Sequence, residues 1–337
     1  VLTRLEAVLC VIVIILEIAA FSFWIALKGL ATPTEGSEYA GLVFRATLAA
    51  IVVGLAAHAG LRGRAPAARA AGALGGAILG AALGFIARNV GTSYFANGIN
   101  WLQDASSLTL LGGLRGVGTE LTWLLAMLGG SLATGGGKHI HVDVLLRFIR
   151  PKLRLPAVAV GWVAAALVCF VAVWGFFDHI AIESFGAPAS ATAGEKTSIA
   201  MREGRRHLFL LRKQIGLDLA TSLHVLAGQP YDGWLYGSEW NEWVRQGGWD
   251  RHFPKEQVER VLLAGEAEHQ LHSPFVVMPS GGNDRGLLAR DLHLIFPIGL
   301  LVIGARFLLR VLLACFNVGP PEDALGDELP EREARSS

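Results

Sequence analysis

Six long apolar stretches limit what this chain can fold into: Leu5–Leu27, Tyr39–Leu61, Ala70–Ala87, Leu108–Ala133, Leu155–Phe177 and Leu292–Leu313. About 20 residues of helix cross the roughly 30 Å hydrocarbon layer of a bilayer. Lipid offers no partner to backbone N–H and C=O groups, so a single segment crosses it as a helix. Composition agrees. The chain is 53% hydrophobic and 17% charged, against about 25% charged in soluble domains, and its mean hydropathy is +0.47. The expected fold class is an all-α integral membrane protein with about six transmembrane helices and a mostly helical extracytoplasmic insert. The first run is too long for a leader and ends in Thr-Pro-Thr-Glu, without a small-residue cleavage site, so it reads as a span.

Cations in short connections set the orientation. Arg62, Arg64 and Arg69 follow the second run. Lys138, Arg147, Arg150, Lys152 and Arg154 lie between the fourth and fifth, and Arg306 and Arg310 lie towards the end of the sixth. With six spans these all fall on one side, read as the cytoplasm, and both termini lie there too. The opposite connections hold only Lys28 and Arg88. A net charge of +1, with no dense basic stripe, excludes a nucleic-acid partner.

Residues 181–290 are too polar for lipid. Within them, Glu195–Ala227 reads as a helix with an apolar face through Leu208, Leu211, Ile215, Leu219 and Leu223. Pro254 opens a short second helix through Val258 and Leu262. Trp234, Trp240, Trp243 and Trp249 crowd the stretch between. Such crowding suits an interface anchor, a partner-docking surface or the core of a small module. Asn89–Ser107, with Ile99, Trp101 and Leu102 beside Asn100, Gln103 and Asp104, reads as an amphipathic helix on the outer membrane surface. Glycines concentrate in the third and fourth runs, which lets helices approach closely.

Few residues suggest chemistry. Cys10, Cys169 and Cys315 all sit in apolar runs and read as small hydrophobes. His139-x-His141-x-Asp143 resembles the start of the metal motif of metallo-β-lactamase-fold hydrolases. That motif continues with a histidine where this chain has Val144, and its fold is a soluble αβ sandwich. The plainer reading places Asp143 near a helix N-terminus, accepting from free N–H groups. His58, His179 and His293 lie in or near spans, but no facing pair suited to haem emerges. Glu17, Arg115 and Glu120 are ionisable residues within spans, which mark either an ion path or structural pairing. No phosphate loop, nucleophile elbow or cysteine metal site is present, so no cofactor is expected.

The stretch LGGSLATGGGKHIHVDVLLRF at 128–148 resembles the small membrane subunit (DctQ-like) of tripartite ATP-independent periplasmic (TRAP) transporters. Lys138, His139, Ile140, Val142 and Asp143 match the family's motif at its cytoplasmic turn. Phe296-Pro297-Ile298-Gly299 is similar to the opening of its last helix, and Ile99-Asn100-Trp101 to its surface-lying segment. The resemblance covers roughly residues 70–180 and 290–316. Family members usually have four membrane helices and a short loop before the last, so this chain is a divergent and enlarged example.

The resemblance implies a non-enzymatic small permease subunit in the bacterial inner membrane. Such a subunit braces a large permease subunit and helps dock a periplasmic binding protein during ion-coupled uptake of an organic carboxylate anion. The organisation expected is an extra two-helix segment at 1–64 and a small-permease-like core at 65–180 with its surface segment near 97–105. A periplasmic insert at 181–290, a last helix at 291–316 and a disordered cytoplasmic tail at 317–337 follow. The Gly-rich third and fourth helices would contact the large subunit, and Trp101, Trp234, Trp240, Trp243 and Trp249 would be partner contacts. The alternative is a membrane-anchored metal or haem protein using His139, His141 and Asp143.

Overall fold

The computed structural model describes residues 2–33, 39–135, 151–281 and 284–316. It is all-α apart from two two-residue strands among these residues, Leu235–Tyr236 (β1) and Leu271–His272 (β2), paired antiparallel with Leu235 opposite His272. The long helices are α1 Leu2–Ala31, α2 Ala40–Gly60, α3 Pro66–Ile86, α4 Thr92–Asp104, α5 Gly113–Gly135, α6 Pro151–Glu183 and α7 Ala193–Leu226. Short helices α8 Gly237–Gln246, α9 Lys255–Glu259, α10 Glu266–His269 and α11 Leu287–Leu292 precede α12, Ile295–Cys315.

Among the described residues, five helical stretches are long and apolar enough to cross a membrane: Thr3–Ala31, Ala40–Gly60, Pro66–Ile86, Pro156–Glu183 and Leu287–Cys315. The chain is therefore an all-α membrane protein. The fourth expected span, α5, is long enough at 23 residues but less apolar. It also starts later than its composition implies. Gly112 and Gly113 take left-handed φ values of 83° and 76°, which separate a 3-10 turn at Thr109–Leu111 from the helix. The amphipathic helix expected near 97–105 is α4, which begins earlier, at Thr92. The helix expected after Pro254 is shorter than its pattern, ending at Glu259, with Pro254 as its N-cap.

Two compact units emerge. The first comprises Val1–Glu17, Thr119–Arg205 and Leu288–Ser337; the second comprises Ile18–Gly118 and Arg206–Leu287.

In the second unit, α2 and α3 form a close hairpin. Gly72, Gly76, Gly80 and Gly84 repeat every fourth residue, so they line one face of α3. A Cβ on Gly80 would sit 2.2 Å from the Ala49 carbonyl oxygen, and one on Gly84 would sit 2.7 Å from that of Arg45. These backbones touch because no side chain intervenes. This overturns the expectation that the glycine face of α3 is kept for the large subunit: α2 occupies it.

The same unit holds the insert from Arg206 to Leu287, while the start of α7 belongs to the first unit. Thr192 and Glu195 form a capping box at the start of α7: the Thr192 N–H donates to Glu195 Oε2 at 2.7 Å, and the Glu195 N–H donates to Thr192 Oγ1 at 3.4 Å. The Thr192 N–H first, and then the Thr192 hydroxyl, which donates to the same Oε2 at 2.9 Å, hold the Glu195 carboxyl below its ordinary range. The helix ends where Gly228 takes a φ of 79°. Between these ends α7 buries Leu210, Gln214, Leu217, Thr221 and Val225. The expected apolar face is the other one: Leu208, Ile215, Leu219 and Leu223 are exposed.

Gln214, fully buried, ties three segments together. Its Nε2 donates to the carbonyls of Ala105 and Pro274, each at 3.2 Å, and its Oε1 accepts from Val276 N–H at 2.8 Å. Trp240 and Trp249 form the insert's aromatic core, with Phe209 edge-on to Trp249 at 5.5 Å. Trp240 Nε1 donates to the Val261 carbonyl at 3.1 Å. Asn241 exchanges two 2.8 Å hydrogen bonds with the Leu263 backbone.

Candidate functional site

The first unit packs the start of α1 with most of α5, with α6 and with α12. Its centre is the Phe296-Pro297-Ile298-Gly299 element at the start of α12. The Phe296 ring lies 5.0 Å from Trp123 on α5 and 5.8 Å from Phe176 on α6, stacked on the latter. Aromatic pairs at these separations add about 0.5–1.5 kcal/mol each beyond area burial. A Cβ on Gly299 would meet the Met127 side chain at 2.9 Å, and one on Gly304 would meet Cys169 at 3.0 Å. The glycines thus bring α12 against α5 and α6, with Phe296 wedged between all three.

Buried polar groups tie the same helices. Arg306 on α12 donates to Glu6 Oε2 on α1 at 2.5 Å and to the Ser131 carbonyl on α5 at 2.8 Å. Ser131 Oγ donates to the other Glu6 oxygen at 3.1 Å. Glu6 and Ser131 are buried, and the Arg306 side chain is nearly so. Lipid cannot solvate such charges, so each strongly favours its partner. Glu17 lies 11 residues along α1, about 16 Å, and accepts from Thr122 Oγ1 on α5 at 2.6 Å. Glu120 faces His293 Nε2 at 3.9 Å. Beyond the end of α6, Lys196 donates to Asp178 at 2.6 Å. Below it, Ile180, Phe185 and Ala200 form a small core.

The ionisable residues read from the spans, Glu17 and Glu120, thus sit in interhelical ties, which is the structural pairing rather than a chain of titratable groups. Glu6, Arg45, Ser131 and Arg306 were missed. Arg306 was counted only as a topology cation, although it pairs with a carboxylate 300 positions away in sequence. Arg45, near the start of α2, is buried. It donates to the carbonyls of Ala87 and Val90 at 3.3 and 2.8 Å, and also to that of Leu30. One guanidinium therefore caps the C-terminal ends of both α1 and α3, where the helix dipole is negative. An arginine five residues inside an apolar run is a visible signal. Its partners are not.

In the second unit, a cavity of about 480 Å³ opens where α1 ends. Trp24, Lys28, Ile99, Asn100, Gln103 and Arg115 line it. The carboxylate of Asp104 lines it too, so two cations, two amides and one acid give it a mixed polar lining. Asp104 also pairs with Arg285 at 3.0 Å.

The turn motif Lys138, His139, Ile140, Val142 and Asp143, and with it the His139–His141–Asp143 alternative, lies outside the described residues. Among the described residues no group of three His, Cys, Asp or Glu side chains converges as a metal site. His58 and His179 are exposed on their helices, and His293 is occupied by Glu120. Of the tryptophans read as partner contacts, Trp240 and Trp249 are buried within the insert. Trp101, Trp234 and Trp243 keep part of their rings accessible.

Residues 117–200 match the family model described as "Tripartite ATP-independent periplasmic transporters, DctQ component". The match runs from the first turns of α5 through residues 136–150 and α6 to Ala200 in α7. It contains Trp123, Met127, Ser131 and Phe176, the side of the packing core contributed by α5 and α6. No curated protein and no solved structure matches the chain.

Proposed function

Taking residues 117–200 as a DctQ-component region, we propose that this chain is the small permease subunit of a TRAP-type secondary transporter in a bacterial inner membrane. The family match carries the reading. The packing core supports it, because it is built for rigidity: aromatic wedge, close glycines and buried charge pairs. Such a core suits bracing a moving partner better than moving itself. The large permease subunit would hold the substrate and coupling ion, and a periplasmic binding protein would deliver an organic carboxylate anion. This chain contributes no catalytic group in that scheme.

The topology we propose has six spans, α5 included, with both termini and the turn at 136–150 on the cytoplasmic side and the insert in the periplasm. The cation bias of the connections supports this. Docking of the binding protein is assigned to the insert's outer surface, through Trp234 and Trp243, with Trp101 on α4. Alanine at these three should weaken docking without unfolding the insert.

Reconstituted uptake tests the whole reading. Proteoliposomes carrying the large subunit, fed by its binding protein with a carboxylate that the latter retains, should take it up only when this chain is present. Equal uptake without it would refute the assignment.

A further inference from the structure

Five large apolar side chains of α7 point away from the insert. Leu208, Ile215, Leu219, Leu223 and Leu226 are 61%, 46%, 69%, 70% and 70% exposed. Steps of seven, four, four and three residues keep them on one stripe of the helix. A lone exposed leucine needs no explanation; a stripe five side chains long does.

Two observations identify what covers it. The first is continuity. The Leu226 carbonyl accepts from the Tyr94 hydroxyl at 3.3 Å. Tyr94 is exposed at the start of α4, and Val90 and Ile86, just before it, are 71% and 77% exposed at the end of the span α3. The stripe therefore runs on to apolar surface at the end of a membrane helix. The second is charge. Arg212 is exposed between Leu208 and Ile215. The only acid from residue 206 to 226, Asp218, is held away by the Ser107 N–H at 2.8 Å and Gln214 at 2.9 Å. An apolar stripe bearing a cation and no acid complements acyl chains beneath phosphate headgroups.

We propose that α7, from Leu208 to Leu226, lies in the headgroup layer of the bilayer at the face where α3 ends. The stripe spans 18 residues, about 27 Å. Its opposite face, through Leu210, Gln214 and Thr221, carries the folded insert. The insert is then a monotopic attachment resting on lipid rather than a domain held clear of it. This assignment needs only the membrane, not the transporter reading, so the two fail separately.

Nitroxide labels at Leu219→Cys and Leu223→Cys test it in the full chain, with Cys10, Cys169 and Cys315 replaced by alanine. The measurement is made in nanodiscs of phosphatidylethanolamine and phosphatidylglycerol. Ile78→Cys on the exposed face of α3 and Ser238→Cys on the insert's exposed surface mark the lipid and water extremes. Labels at 219 and 223 should collide with oxygen several-fold more than with a water-soluble nickel chelate, following Ile78. Arg212→Glu should raise nickel access at 223. Nickel-dominated collision, as at Ser238, would place the stripe in water and overturn the proposal. Low collision with both reagents would overturn it too, because a protein, a second copy or a permease, would then cover the stripe.

Discussion

The membrane core and the insert solve the same packing problem with opposite materials. In the core, charge and hydroxyl go inside: Glu6, Ser131 and Arg306 are buried or nearly so, while Leu5, Val8 and Ile15 of the same α1 face out. In the insert, Trp240, Trp249 and Leu210 go inside with a few fully bonded amides. Water rewards burial of apolar surface; lipid does not, so helices there are held by close contact and polar pairing. The α7 stripe is the one place in the described insert where five leucines and isoleucines face out together, as they do on the spans.

That contrast can be broken from either side. The largest effect is expected from Arg306→Ala, which strands the Glu6 carboxylate among α1, α5 and α12. Breaking a buried pair costs about 3–5 kcal/mol, so thermal unfolding in detergent should occur at a much lower temperature. Glu6→Gln with Arg306→Met should regain most of the loss; a wild-type transition in the single variant would show that the pair is dispensable. Trp240→Ala should cost about 3–5 kcal/mol by opening a large cavity, but confined to the insert. Hydrogen exchange should rise across 235–263 and stay unchanged in α5 and α12.

Gly80→Ile forces a side chain into the Ala49 backbone. Overpacking costs about 1–3 kcal/mol, and disulfide trapping between cysteines placed at Val53 and Ala77 should drop. The smallest effect is a pH slope. Burial against Trp240, with ring centroids 4.8 Å apart, lowers the His272 pKa. Below its ordinary value of 6.5, the unfolded chain takes up a proton that the folded insert refuses. Stability contributed by His272 is thus complete above 6.5 and is lost as pH falls towards the lowered value. His272→Phe should flatten the acid limb of an unfolding-versus-pH curve for the insert; an unchanged limb would assign it to other groups.

Helix existence was legible because the apolar runs have membrane length and the insert has helical periodicity. Orientation of faces was not. The leucines of α7 announced a stripe but not what it faces. Gln214 and Thr221 are buried instead: Gln214 bonds to Ala105, Pro274 and Val276, far away in sequence, while Thr221 Oγ1 donates to the Leu217 carbonyl one turn back. The glycine repeat of α3 was read correctly as a close-packing face, but nothing local says that α2, rather than another protein, fills it. Gly112 and Gly113 shortened α5 through φ values that composition does not carry. Arg45, Glu6 and Arg306 were passed over as charges in greasy runs, and each is explained only by partners 15 to 300 positions away. The Phe-Pro-Ile-Gly element was the most informative short motif in the described region: three helices meet on it.

Purification of the tagged chain from its native membranes tests the central claim most directly. The account predicts a stable complex with one large polytopic permease subunit, visible as a single mass and dispersed when residues 136–150 are replaced by a flexible linker. A chain that purifies alone, or that carries a stoichiometric metal at His139 and His141 in place of a permease, would contradict it.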